Sequence, residues 1–228
     1  MVRNKNGIYS RYLKRILDII VSLGIIVVFW WLYLLLALLV AIKLGTPVIF
    51  SQNRPGKIDS KTKKEKIFRL YKFRSMNNAT DEKGELLPGK DRMTSFGAKL
   101  RATSLDELPE ILNILKGDMS LIGPRPLAME YLPYYTNKER ERHTVRPGLT
   151  GLAQASGRNN LSWEEKFALD VEYAHHVTFV MDCKVFLATV KAVLLREGIG
   201  QGEETPESFH LYRQHQLEEE REAKNGKY

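Results

Sequence analysis

A single cysteine, Cys183, is all the chain contains. That excludes an intramolecular disulfide and any cysteine-built metal site, and it suits a reducing compartment for the polar part of the chain. Residues 19–42 hold no charged side chain and no proline. The missing charge excludes an ordinary amphipathic surface helix, which needs a polar face. The missing proline removes the commonest cause of a sharp bend. No Ala-x-Ala site follows the run, which is also longer than the roughly 7–15 residues of a signal-peptide core, so cleavage is not expected. Neither a Gly-rich loop ending in Lys-Ser/Thr nor a Gly-x-Gly-x-x-Gly turn is present, so the common nucleotide cradles are missing. There is no internal repeat.

The 228 residues suffice for one packed domain and one extra element. Apolar residues make up 43% and charged residues 27%, which excludes a disordered, collagen-like or multi-span membrane chain. Lys and Arg number 35 against 27 acids, a net charge of +8, and this balance favours polyanions or an anionic membrane face. As a helix at about 1.5 Å per residue, residues 19–42 reach roughly 36 Å, enough for a bilayer core of about 30 Å. Basic residues stand on both sides of the run: Arg3, Lys5, Arg11, Lys14 and Arg15 before it, Lys43, Arg54, Lys57, Lys61, Lys63 and Lys64 after it. Positive charge marks the cytoplasmic side, and here both flanks qualify. A spanning helix and one that bends back near Ser22 and Gly24 both satisfy the pattern.

Beyond the run, residues 46–50 read as a strand entering a turn at Asn53-Arg54-Pro55-Gly56, and residues 67–73 alternate like a second strand. Residues 59–66 form a charged loop and residues 77–91 a polar, mobile one. Helical spacing covers 94–101 and 104–115, stops at Ile122-Gly123-Pro124-Arg125-Pro126, and returns at 163–174 and 179–195 after a turn-rich block at 146–160. The segment 179–195 suits a soluble core helix and an interfacial helix equally. Thr205-Pro206-Glu207 resembles a helix start in a charged tail. The expected division is a basic N-terminus and membrane helix (1–45), a catalytic domain (46–197) and the tail (198–228), with an α/β (helix-rich α+β) fold.

Two features carry chemistry. Ser104 and Glu107 stand at capping-box spacing, and acids suit the positive end of a helix. The adjacent carboxylates Asp106 and Glu107 also suit a divalent cation and a nucleophilic oxygen, with Arg101 upstream to admit an anion. Arg125 lies between two prolines, which stiffen the loop that presents it to phosphate oxygens. Arg146 and Arg158 sit in similar Gly/Pro turns, and three such turns suggest a phosphate-rich ligand. His143, His175 and His176 lack further ligands at suitable spacing.

Ser104-Leu105-Asp106-Glu107-Leu108-Pro109 and Lys116-Gly117-Asp118-Met119-Ser120-Leu121-Ile122-Gly123-Pro124-Arg125-Pro126 strongly resemble the bacterial sugar transferase family, the monotopic phosphoglycosyl transferases. Lys72-Phe73-Arg74-Ser75-Met76, Arg146-Pro147-Gly148-Leu149-Thr150-Gly151-Leu152-Ala153-Gln154, Asp170 and Asp182 extend the resemblance over roughly residues 11–195. It implies transfer of a sugar 1-phosphate from a UDP-sugar to polyprenol (undecaprenyl) phosphate, with release of UMP and dependence on Mg²⁺. By the same resemblance Asp106 is the covalent nucleophile and binds the metal with Glu107. Lys72, Arg74, Arg101, Arg125, Arg146, Arg158, Asp170 and Asp182 are then substrate-binding positions. Family members often carry a Ser-Pro pair that breaks the N-terminal helix into a re-entrant hairpin. Here the corresponding stretch is Val27-Val28-Phe29-Trp30-Trp31-Leu32, without proline.

The expected protein is thus a transferase at the cytoplasmic face of a bacterial inner membrane, with membrane lipid and no nucleic acid as partner. Neither the sugar nor homo-oligomerisation is legible. The competing class is a non-enzymatic, membrane-tethered binder of nucleic acid or anionic lipid. Arginines set in stiff turns beside acids argue against it, because nucleic-acid platforms interleave basic and aromatic residues.

Overall fold

A long, almost wholly apolar segment leaves the backbone no better arrangement than a helix, and the described residues open with one. In the computed structural model, which describes residues 7–157, 161–194 and 208–225, a π-helical turn Tyr9–Leu13 runs into α1, Lys14–Leu44. The combined helix is long and apolar enough to cross a membrane, with a mean hydropathy of 2.9 over its most apolar stretch. One side lies against the rest of the protein. Ile25 and Ile26 pack on Phe68, Ile111, Ile114 and Met119, while Leu32, Leu36 and Val40 pack with Phe73 and Leu100. The other side exposes Ile20, Val27, Trp30, Trp31, Leu34 and Leu38.

The helix does break, although not at Ser22 or Gly24. Phe29 has non-helical angles (φ −109°, ψ 16°), between the legs that seat on two different core clusters. Gly24 has open space where a side chain would stand, so its small size serves no close contact. Packing, in place of a weak residue, locates the bend.

The strand β1, Ile49–Ile58, pairs antiparallel with β2, Glu65–Phe73. β1 runs straight through Asn53-Arg54-Pro55-Gly56, where a turn is expected. The register shift between Pro55 and Ile58 explains this, because a bulge tolerates a residue without an N–H. The true turn is at Asp59–Lys64, closed by the Asp59 carboxylate accepting from the Lys61 and Thr62 amides. A short helix α2, Gly89–Arg92, follows in the polar stretch expected as a loop.

Helix α3, Ser95–Ala102, is capped by Thr94, whose side chain accepts from the Gly97 amide. The expected helix from 104 is instead a 3₁₀ turn, Leu105–Glu107, followed by α4, Glu110–Lys116. No capping box forms, because Ser104 is left-handed (φ 55°) and its side chain caps nothing.

Strand β3, Ser120–Ile122, pairs in parallel with β4, Gly148–Thr150. A Cβ on Gly148 would stand 2.1 Å from the Gly123 nitrogen, which accounts for glycine there. Helices α5, Leu152–Ser156, α6, Trp163–His175, and α7, Phe179–Leu194, complete the main body. A true capping box opens α6, from Ser162 and Glu165. The helix-rich α+β architecture therefore stands, with two small two-stranded sheets. The charged C-terminal stretch contains α8, Phe209–Asn225; the helix start expected at Thr205 lies outside the described residues. Phe209 is fully buried among Tyr131, Tyr135, Trp163 and Phe167.

Candidate active site

A cleft of about 1390 Å³ opens between α1, the end of β2, the 105–107 turn and α7. Its polar end is built from three short pieces of chain. The 3₁₀ turn brings Asp106 and Glu107, the last residues of β2 bring Lys72, and the loop after β3 brings Arg125. A left-handed Ser104 directly before the acids is a strained conformation for a residue with a Cβ, of the kind that persists where the surroundings enforce it.

The two acids differ in their contacts. Glu107 Oε1 accepts from Lys72 Nζ at 2.6 Å and from Arg125 Nη2 at 2.5 Å. Burial works to raise the Glu107 carboxyl, and Arg125 and Lys72 outweigh it, so it stays well below the usual carboxylate range. Asp106 is buried and accepts no hydrogen bond among the described residues. Burial pushes its carboxyl up, opposed by the positive charge of Lys72, Arg101 and Arg125.

Arg101 reaches the same cleft and donates from Nε to Ser75 Oγ at 2.8 Å. Arg74 lines the cleft, but its guanidinium donates to the carbonyls of Leu44 and Thr46 and so closes the C-terminal end of α1. Arg146 is not brought to the cleft wall; its Nε donates to Gly117 O at 3.0 Å, just past the end of α4. Arg158 lies outside the described residues.

Asp182 lines the cleft with a carboxylate that accepts from Tyr9, Lys14 and Tyr173, at 2.6, 2.5 and 2.6 Å. It ties the π-helical turn and the start of α1 to α6 and α7. Asp170 is held by Arg142, through Nε at 3.0 Å and Nη2 at 2.7 Å. Arg142 also donates to the Arg125 carbonyl at 2.7 Å, so this buried pair steadies the Pro-Arg-Pro loop.

Sequence reasoning passed over Arg142, Glu110 and Asp18. Glu110 is buried, 3.2 Å from Lys72, and burial pushes its carboxyl up to about 7. Asp18 stands one turn into α1, and its Oδ1 accepts from Ser120 Oγ and the Leu121 amide. A lone acid at the edge of an apolar run was the available signal for Asp18, since burying a carboxylate is costly without partners.

No cluster of three metal-ligating side chains exists among the described residues. Asp106, without a hydrogen bond among the described residues, and Glu107 are hard oxygen donors in adjacent positions, which fits a magnesium ion that draws its other ligands from water and substrate phosphates. The arrangement as a whole holds one desolvated carboxylate beside three cations, the electrostatics of attack on a phosphate. The opposite wall is apolar, with Leu17 and Val21 of α1 facing Phe186 and Leu187 of α7.

Comparison with known proteins identifies the family. An uncharacterized sugar transferase of Bacillus subtilis is 48% identical over 189 residues, covering 83% of this chain and 91% of the relative. The undecaprenyl-phosphate galactose phosphotransferase of Salmonella typhimurium is 36% identical over 83% of this chain, which spans only 42% of that longer protein. The UDP-glucose:undecaprenyl-phosphate glucose-1-phosphate transferase of Caulobacter vibrioides is 36% identical, over 79% of this chain and 69% of its own length. The sequence profile described as "Bacterial sugar transferase" matches residues 9–196, and the chain belongs to that family.

Proposed function

We propose that the protein transfers a sugar 1-phosphate from a UDP-sugar to polyprenol phosphate through a covalent aspartyl phosphosugar, at the cytoplasmic face of a bacterial inner membrane. The observation that carries this reading is the buried Asp106 carboxylate, without a hydrogen bond among the described residues, set among Lys72, Arg101 and Arg125. The names of the Salmonella and Caulobacter relatives support the same chemistry.

In the first half-reaction an Asp106 oxygen attacks the phosphorus that bears the sugar. The bond from that phosphorus to the bridging oxygen breaks, and UMP departs with the electron pair. In the second, a phosphate oxygen of the lipid attacks the same phosphorus and Asp106 is released as carboxylate. Each displacement brings together two anions, and Lys72, Arg101 and Arg125 supply fixed positive charge where they meet. Magnesium, held by Asp106 and Glu107, would screen the donor's diphosphate charge when bound. The Arg142–Asp170 pair keeps the Arg125 loop in place, so this charge needs no rearrangement during reaction.

The apolar wall made by α1 and α7 supports a lipid acceptor. Because α1 packs along the body on both sides of Phe29 and exposes its other face, the structure favours a helix whose two ends stay on the side of the catalytic body. A polyanion binder fits less well: Lys14, Lys72, Arg125 and Arg142 are all paired with carboxylates.

The test is UMP release. Purified protein with Mg²⁺, a panel of UDP-sugars and polyprenol phosphate should release UMP with at least one donor. Donor alone should add the phosphosugar mass to the intact protein. Active enzyme that never acquires that mass overturns the covalent route.

A further inference from the structure

Beside the cleft lies a second cavity of about 250 Å³. Arg54, Lys72, Arg125 and Trp163 border both spaces, so the two communicate around the cations that hold Glu107. The remaining chemistry of the smaller cavity comes from Glu110 and Tyr131. The transfer reaction described above uses none of Arg54, Glu110, Tyr131 or Trp163.

Its volume is below the roughly 300–1,000 Å³ of pockets that take drug-sized ligands, which points to one ring and not a whole nucleotide. Its lining mixes aromatic edges, a buried carboxylate and a guanidinium. Arg54 Nη2 donates to Gln52, whereas its Nε is buried and has no hydrogen-bond partner among the described residues. A ligand with apolar C–H faces and several hydroxyls satisfies all of these groups at once. Uracil lacks the hydroxyls, and a lipid tail would leave Arg54 and Glu110 unsatisfied.

Behind the cavity's aromatic residues packs a part of the chain beyond the family match, which ends at residue 196. Phe209, the first residue of α8, lies 5.5 Å from the Tyr131 ring and 5.4 Å from Trp163. Tyr212 donates to Glu164, and Arg213 pairs with Glu139 at 2.5 Å, which fastens the helix there.

Building on the transferase reading, we propose that this second cavity receives the sugar ring of the nucleotide donor. Arg54 and Glu110 contact its hydroxyls, Tyr131 and Trp163 form its apolar wall, and α8 sets its shape through Phe209. The phosphate cations at its mouth then place the ring's phosphorus next to Asp106. A C-terminal helix outside the shared family region thereby tunes which sugar is accepted.

The experiment measures kcat/KM for UMP release with UDP-glucose, UDP-galactose and UDP-N-acetylglucosamine, and Ki for UDP as a sugarless competitor. The protein is full length, in detergent, and carries Arg54→Gln, Glu110→Gln or Phe209→Leu. A site that hydrogen-bonds hydroxyls loses strongly when the partner is removed, so kcat/KM for the preferred donor should fall about tenfold or more in Arg54→Gln and Glu110→Gln. Ki for UDP should stay within about twofold, and Phe209→Leu should change the ratio between donors. Equal loss for UDP and for the sugar donors would overturn the assignment, as would unchanged donor ratios in all three variants. If Phe209→Leu does not fold, the two polar variants decide the pocket without it. Wild-type protein releasing UMP from none of the donors would instead sink the transferase reading itself.

Discussion

Asp106 and Glu107 are neighbours on one turn, yet their surroundings separate them. Glu107 shares a single oxygen between two cations, whereas Asp106 accepts no hydrogen bond among the described residues and is desolvated. Asp106→Asn keeps size and removes the attacking charge, so it should fold normally and form no adduct by intact mass. Glu107→Gln should leave Lys72 and Arg125 without their carboxylate and slow adduct formation by about 10²–10³, comparable to losing one preorganised electrostatic contact. The two variants behaving alike would favour direct attack by the lipid. Glu110 gives a pH signature. Its carboxyl is raised from 4.5 to about 7, chiefly by burial, so the folded state binds the extra proton between those values. Its stabilising contribution is complete below about pH 4.5 and is lost as pH rises through about 7, by roughly 3 kcal/mol. The difference in Tm between pH 5 and pH 8 should therefore shrink in Glu110→Gln, and an unchanged difference would contradict the shift.

Among the elements, α1 is a structural part of the enzyme as well as its apolar segment. Arg15 donates to the Ile114 and Leu115 carbonyls, Tyr33 to Leu108, and Asp18 accepts from β3, whose end leads directly into Gly123-Pro124-Arg125. Asp18→Ala would strand the buried Ser120 hydroxyl and the part-buried Leu121 amide. It should cost about 2–3 kcal/mol, read as a lower Tm in detergent, with Asp18→Asn milder because it keeps an acceptor. Topology is tested by a cysteine placed at Lys5. An impermeant reagent applied to intact cells should fail to label it, and labelling would establish a true span. The helix was legible from its composition. Its break at Phe29 was not, because the bend arises from two core clusters that meet the helix from distant parts of the chain.

For the whole molecule, residues 1–41 cannot be treated as a detachable anchor. Leu36 and Val40 belong to a core cluster with Phe73 and Leu100, and Lys14 secures Asp182. Deleting them should abolish adduct formation and lipid turnover together, through lost folding, which circular dichroism would register. A deletion that folds and still forms the adduct would show the body to be self-sufficient. The adjacent acids Asp106 and Glu107 (though not the 3₁₀ turn that carries them), the Pro-Arg-Pro loop and the apolar run could be read from residues in order, because each depends on neighbours within a few positions and on chemistry the side chains carry anywhere. The partners of Arg74, Arg142, Asp170 and Asp182 could not. A charged group in a folded interior binds whichever opposite charge or carbonyl packing brings within reach: Thr46 lies 28 residues from Arg74, Asp170 28 residues from Arg142, and Tyr9 173 residues from Asp182. Arg74 thus closes a helix end, Asp182 fastens the π-helical turn before α1, and Phe209 backs the Tyr131 and Trp163 rings that line the smaller cavity, since the cost of burying each is offset only by contacts that exist once the whole chain has folded.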